Sequence, residues 1–143
     1  MLEEIAYRQL PMKIYLEEDK PKMREKKVMY STSLPKSLKA ALQKAVTALH
    51  RNKADWIRTS LNLFMLQDDK NQELLIINSF NKMELSHLRP FTTTLTEGQL
   101  SGLNKMAKDL KRSKADIVRA AIFSFLSKSV LDQEKEIKKY ISR

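Results

Sequence analysis

The sequence Asn52-Lys53-Ala54-Asp55-Trp56-Ile57-Arg58 returns 61 residues later as Ser113-Lys114-Ala115-Asp116-Ile117-Val118-Arg119. At this offset, and with no gap, residues 34–65 and 95–126 are identical at 10 of 32 positions. Chance would give about two identities in a stretch of that length, so the chain contains a duplicated unit. Further positions exchange one apolar residue for another, as Leu61 and Ile122 do.

Each unit has the same order of predicted elements. A stretch rich in hydroxyls and β-formers comes first, at residues 28–34 and 91–95. A helix start follows, with Pro35 in the first turn of unit one and a capping box in unit two, either Thr94 to Glu97 or Thr96 to Gln99. Two amphipathic helices joined by a basic turn complete the unit. Their apolar stripes are Leu38, Leu42, Ala45, Leu49, Ala54, Ile57, Leu61 and Phe64, then Leu100, Leu103, Ala107, Leu110, Ala115, Val118, Ile122 and Phe125.

The repeat divides the chain into five segments. We expect an N-terminal extension at 1–27, unit one at 28–66, a linker at 67–88 that could be helical, unit two at 89–128, and a C-terminal helical extension at 129–143. A strand and two helices are too small to bury both apolar faces alone, so the two units are expected to pair. The predicted fold class is mainly α, with a short antiparallel β ribbon shared by the two units.

The charge of the chain is strongly basic and lies in two blocks. Its 27 Lys and Arg residues exceed its 17 Asp and Glu residues, which gives a net charge of +10. Residues 28–66 and 89–128 each carry a net charge of +5, and residues 67–88 between them carry −2. Such a distribution favours a polyanion as the partner.

Several classes of site are absent from the sequence. There is no Cys, and the two His residues lie far apart, so no zinc-site spacing is present. With only two Gly residues there is no phosphate-binding glycine loop. We find no catalytic constellation and expect neither enzymatic activity, nor a cofactor, metal or small-molecule substrate. No apolar run approaches the length of a membrane span. We expect a cytoplasmic protein, of a prokaryotic or an infected host cell.

The order strand, helix, basic turn, helix resembles the ribbon-helix-helix family of DNA-binding regulators, to which Arc and MetJ belong. Residues 95–100 and 113–116 match the family pattern closely, and residues 34–38 match its first half. The plan is similar to single-chain tandem versions known from plasmid-transfer accessory proteins and archaeal viruses. The resemblance covers residues 28–66 and 89–128.

The resemblance implies that two antiparallel strands form a ribbon that enters the major groove of double-stranded DNA. If Leu34 and Leu95 point to the core, the strand period of two leaves the alternate residues to face the bases. These predicted base-facing residues are Met29, Ser31, Ser33, Thr92 and Thr94. The family often places longer side chains here, so the short hydroxyls predict modest direct readout. Pro90 lacks an N–H and predicts a shorter second strand.

Phosphate contacts are expected beside the ribbon and at the start of the second helix of each unit. Free N–H groups and the helix dipole make a helix start an anion site. The predicted phosphate-binding residues are Lys27, Arg51, Asn52, Lys53, Arg89, Arg112, Ser113 and Lys114.

Other residues have simpler predicted roles. Arg58 and Arg119 are expected to form local ion pairs with Asp55 and Asp116, three residues earlier. Trp56 is expected in the core. His50 and His87 are expected at the surface or in helix caps.

The preferred hypothesis is a sequence-preferring transcription regulator made of one chain with two paired units. Chains could also associate side by side along DNA. One alternative is an architectural or plasmid-transfer accessory DNA-binding protein of low sequence specificity. Another is an antitoxin-like protein, whose terminal segments capture a protein partner. Attachment to a membrane surface through the basic faces is a further alternative.

Overall fold

The computed structural model describes residues 26–142, so most of the predicted N-terminal extension lies outside the described residues. Two strands and six helices make up the described part. In chain order they are β1 (Lys27–Pro35), α1 (Lys36–Leu49), α2 (Lys53–Met65), α3 (Asp69–Lys82), β2 (Leu88–Thr96), α4 (Glu97–Leu110), α5 (Lys114–Leu126) and α6 (Val130–Ile141). The mainly helical class with a short antiparallel ribbon is therefore confirmed.

The ribbon is formed by β1 and β2, which pair antiparallel over their whole length. The register runs from Lys27 opposite Thr96 to Pro35 opposite Leu88, and it places Ser31 opposite Thr92. Leu34 and Leu95 are fully buried, as the alternation predicts. The two strands thus present one apolar face to the helices and one polar face outward.

The prediction that Pro90 shortens the second strand is wrong. β2 begins at Leu88 and pairs through Pro90, which lies opposite Ser33. The carbonyl oxygen of Pro90 accepts a hydrogen bond from Lys39 Nζ at 3.0 Å, so it points away from β1. In an extended residue the N and the C=O face the same side, and the antiparallel ladder therefore needs no N–H from Pro90.

Hydrogen-bonding side chains fix the helix starts. Asp55 N donates to Asn52 Oδ1 at 2.7 Å at the start of α2, and Asp116 N donates to Ser113 Oγ at 3.0 Å at the start of α5. Thr96 caps α4 in a complete capping box with Gln99. Such caps satisfy N–H groups that have no partner inside the helix. Pro35 is itself the N-cap residue of α1, one position before the first turn.

The helix ends before the basic turns also correspond between the units. His50 and Lys111, which are 61 residues apart, both have left-handed backbone conformations that end α1 and α4. The predicted place of His50 in an exposed cap is confirmed, and His87 is exposed as well.

The core lies between the ribbon and the helices and contains the predicted apolar stripes. Trp56 is fully buried, as predicted, and its ring lies 4.7 Å from that of Phe125. The buried positions of α2 and α5 correspond, with Ile57, Leu61 and Phe64 matched by Val118, Ile122 and Phe125. None of the helices in the described range is long and apolar enough to cross a membrane.

The helices α3 and α6 belong to this core. Ile76 on α3 and Ile137 on α6 are both fully buried. Gln133 Oε1 accepts a hydrogen bond from Trp56 Nε1 at 3.1 Å, and Gln133 Nε2 donates to the Lys128 carbonyl at 2.9 Å. Gln72 Nε2 donates to the carbonyl that corresponds to that of Lys128, the carbonyl of Gln67, at 3.1 Å. Each helix begins two residues after its unit and packs back against the bundle.

Candidate nucleic-acid interface

The outer face of the ribbon carries the five predicted base-facing residues. Met29 is 75% exposed, and Ser31 and Thr92 are also exposed. Ser31 Oγ and Thr92 Oγ1 lie 3.1 Å apart, within hydrogen-bonding distance. These two residues correspond at the 61-residue offset and face each other across the ribbon. The ribbon is therefore symmetric about this pair in its register.

Ser33 and Thr94 are half-buried because two arginines from the helices bind them. Arg58 Nη1 donates to Thr94 Oγ1 at 2.7 Å and to the Thr94 carbonyl at 3.2 Å. Arg119 Nη2 donates to Ser33 Oγ at 2.9 Å, and its Nε donates to the Ser33 carbonyl at 3.1 Å. Each arginine thus crosses to the strand of the other unit.

The predicted local ion pairs of these arginines are confirmed. Arg58 Nη2 lies 2.8 Å from Asp55 Oδ1, and Arg119 Nη1 lies 3.4 Å from Asp116 Oδ1. Only 6% of Arg58 and 8% of Arg119 is exposed. A buried guanidinium needs several partners, and its five fixed N–H groups allow it to bind a carboxylate and a strand together. The sequence analysis missed the contacts to the strand, although the recurrence of the arginine was visible.

The starts of α2 and α5 lie beside the ribbon. Lys53 Nζ lies 4.7 Å from the centre of the Phe91 ring on β2, a cation–π contact that holds this lysine near the strand. Lys114, the corresponding residue of α5, is exposed. Asp55 and Asp116 lie in the same turns, but the buried arginines offset their charge. Both turns therefore carry a basic side chain next to a helix start.

Arg51 and Arg112, two predicted phosphate-binding residues, have carboxylate partners within the protein. Arg51 Nη2 lies 2.6 Å from Glu134 Oε2 on α6, and Arg112 Nη2 lies 2.7 Å from Glu73 Oε2 on α3. The hydrogen bond from Arg51 lowers the pKa of Glu134 below its ordinary value, and the same bond raises the pKa of Arg51. These arginines hold the third helices in place, and their contact with phosphate stays a prediction.

Lys27 and Arg89 are exposed on the ribbon strands, opposite Thr96 and Leu34 respectively. Arg89 Nη1 makes one long hydrogen bond, to the Leu88 carbonyl at 3.4 Å. The sequence analysis did not select Lys39, whose bond to Pro90 brings a further cation to the edge of the ribbon. Within residues 26–142, no group of three or more His, Cys, Asp or Glu side chains could hold a metal ion.

Comparisons with protein-family models, with curated proteins and with solved structures give no match to this chain.

Proposed function

We propose that this chain is a sequence-preferring regulator that binds double-stranded DNA by inserting its two-stranded ribbon into the major groove. The observation that carries the proposal is the outer face of the ribbon, where Ser31 and Thr92 form an exposed pair of hydroxyls between two basic helix starts. The major groove is about 12 Å wide and admits such a ribbon.

We further propose that the chain is an internal dimer of two ribbon-helix-helix units. Reciprocal contacts support this reading, since Arg58 binds Thr94 and the corresponding Arg119 binds Ser33. An interface between two equivalent copies makes each contact twice, with the partners exchanged. The net charge of +5 in each unit then flanks one ribbon from both sides.

In this mechanism the ribbon and the helix starts have separate tasks. Hydroxyls on the ribbon bond to base edges, and the exposed Met29 side chain can contact a thymine methyl group. Lys53 and Lys114 bind the phosphates of the two flanking backbones, together with the free N–H groups at the starts of α2 and α5. Met29 corresponds to Pro90 in the other unit, so the preferred site is an imperfect palindrome.

Removal of the central hydroxyls tests the ribbon. In the double variant Ser31→Ala and Thr92→Ala, we expect affinity for the preferred site to fall about tenfold, which corresponds to two ordinary hydrogen bonds. Affinity for unrelated duplexes is expected to stay the same. The matched control replaces two exposed hydroxyls on the helices, Thr47→Ala and Ser101→Ala, and should change neither affinity. An unchanged site preference in the ribbon variant contradicts the proposed docking.

A second candidate function is an architectural DNA-binding protein. The observation that favours it is the shortness of the ribbon side chains, because Ser and Thr reach few base atoms and bond to several kinds of base. Such a protein would bind all duplexes with a steep dependence on salt and show no enriched site. Competition between a selected and a scrambled duplex separates the two candidates.

A further inference from the structure

Thr94 and Ser33 differ from the other ribbon hydroxyls in having a cationic hydrogen-bond donor behind them. The guanidinium of Arg58 lies 2.7 Å from Thr94 Oγ1, and that of Arg119 lies 2.9 Å from Ser33 Oγ. A guanidinium has donors only, so in both contacts the hydroxyl oxygen accepts. The O–H hydrogen of each hydroxyl is then directed away from the arginine and remains available to another acceptor.

The charge of the arginine makes this polarity strict. A second donor that approached the same hydroxyl oxygen would bring a partial positive charge close to a buried cation, in surroundings of low dielectric constant. An acceptor meets the opposite situation, because the cation polarises the O–H group and strengthens it as a donor. Both arginines are nine-tenths or more buried and also bound to Asp55 and Asp116, so they remain in position.

The central pair lacks this constraint. Ser31 and Thr92 bond to each other, and either hydroxyl can be the donor. Reversing that bond changes which oxygen is free and which hydrogen is free, so the pair adapts to donors and acceptors alike. The ribbon therefore has one adaptable position at its centre and two fixed ones beside it.

We infer that Thr94 and Ser33, set by Arg58 and Arg119, act as obligate hydrogen-bond donors that select base acceptors on either side of the site centre. This assignment rests on the proposed binding of duplex DNA. In the major groove the acceptors are N7 and O6 of guanine, N7 of adenine and O4 of thymine, whereas the amino groups of adenine and cytosine are donors.

The register also gives the spacing of the two selected positions. Thr94 lies opposite Met29 and Ser33 lies opposite Pro90, which places the two hydroxyls four residues apart along the ribbon. At about 3.4 Å per residue the separation is about 14 Å, or about four base steps of 3.4 Å. The site should therefore contain two acceptor-dependent positions about four base pairs apart, with a tolerant centre between them.

The experiment combines single-group changes in the DNA with single-group changes in the protein. The preferred duplex is taken from selection with the full chain. Duplexes are then made that lack one acceptor, by 7-deazapurine substitution or by loss of thymine O4, or that lack one amino group of adenine or cytosine. Affinities are measured for the wild-type chain, for Thr94→Val and for Ser33→Ala, and circular dichroism confirms that each variant is folded.

We expect loss of one acceptor in each half of the site to weaken wild-type binding about fivefold to tenfold. The acceptor lost in one half should have no effect on Thr94→Val, and the acceptor lost in the other half none on Ser33→Ala. Thr94→Ser keeps the hydroxyl and should keep the acceptor dependence. The exposed-hydroxyl variant Thr47→Ala is the control and should behave as wild type.

Coupling of either hydroxyl to a base amino group would overturn the inference, because the hydroxyl would then be accepting. A specific complex in which no acceptor couples to Thr94 or Ser33 overturns it too, but leaves DNA binding by the ribbon intact. Absence of any preferred duplex is a separate result. It removes base readout altogether, and with it both the regulator function and the donor assignment.

Discussion

Arg51 and Glu134 are joined by two hydrogen bonds, from Nε to Oε1 at 3.2 Å and from Nη2 to Oε2 at 2.6 Å. The arginine lies in the turn before α2, and the glutamate lies on α6, more than 80 residues later. The corresponding Arg112 binds the corresponding Glu73 on α3. Each unit therefore holds the third helix that follows the other unit.

The Arg51–Glu134 pair predicts a pH dependence. Because the hydrogen bond from Arg51 lowers the pKa of Glu134, the pair stabilises the fold above the ordinary glutamate pKa of about 4.3, and this stabilisation is lost as the pH falls through the lower folded value. In Arg51→Gln we expect the pKa of Glu134 to rise to its ordinary range. Titration followed by NMR measures it directly. An equally low pKa in the variant would show that another group sets it.

The burial of the third helices predicts a large effect on stability. Ile76→Ala and Ile137→Ala each remove a fully buried side chain, and each should lower the free energy of unfolding by about 2–5 kcal/mol. Leu74→Ala and Leu131→Ala are the controls on the same helices, because these side chains are 53% and 72% exposed. They should change stability by about 0.5 kcal/mol or less. Urea unfolding distinguishes the two groups, and equal losses would place the helices outside the core.

The ribbon register predicts which cysteine pairs can form a disulfide. Thr94 lies opposite Met29 with its carbonyl bound to Arg58, so the two form a closely spaced pair outside the ladder hydrogen bonds. In the naturally cysteine-free chain, Met29→Cys with Thr94→Cys should oxidise within one chain, independently of protein concentration. Met29→Cys with Pro90→Cys is four residues out of register and should not. Mass spectrometry under non-reducing conditions detects both outcomes, and a dimeric product would indicate pairing between chains.

The lysines at the helix starts predict a change in salt dependence. Lys53→Gln with Lys114→Gln removes two phosphate contacts, so affinity should fall for every duplex and the slope of log K against log salt should decrease by about 1.8. Lys70→Gln with Lys128→Gln removes the same charge after the far ends of α2 and α5, and should leave the slope unchanged. Binding is measured by fluorescence anisotropy at several salt concentrations. Equal slopes in the two double variants would show a general charge effect only.

Much of the fold could be predicted because local signals and the repeat agree. The apolar stripes, the caps at Asn52 and Ser113, the burial of Trp56 and the alternation of the ribbon all follow from spacing within one segment. The repeat then indicated that two such units pair. These are short-range features, which periodicity and capping rules describe well.

The missed features depend on contacts between distant residues. Nothing near Arg58 in sequence indicates Thr94, and nothing near Arg51 indicates Glu134, because packing of the units brings them together. One signal for the third helices was present: Gln72, Glu73 and Ile76 return as Gln133, Glu134 and Ile137 at the same offset of 61 residues. With only three identities spread over a polar helix, periodicity alone did not reveal it.

Selection from a random duplex pool at about 0.15 M salt, followed by sequencing of the bound fraction, tests the central claim most directly. The account predicts a short enriched motif that is imperfectly symmetric, with a tolerant centre opposite Ser31 and Thr92. Loss of that enrichment in Ser31→Ala with Thr92→Ala would identify the ribbon as the reading surface. Failure of the wild-type chain to bind any duplex would contradict the account.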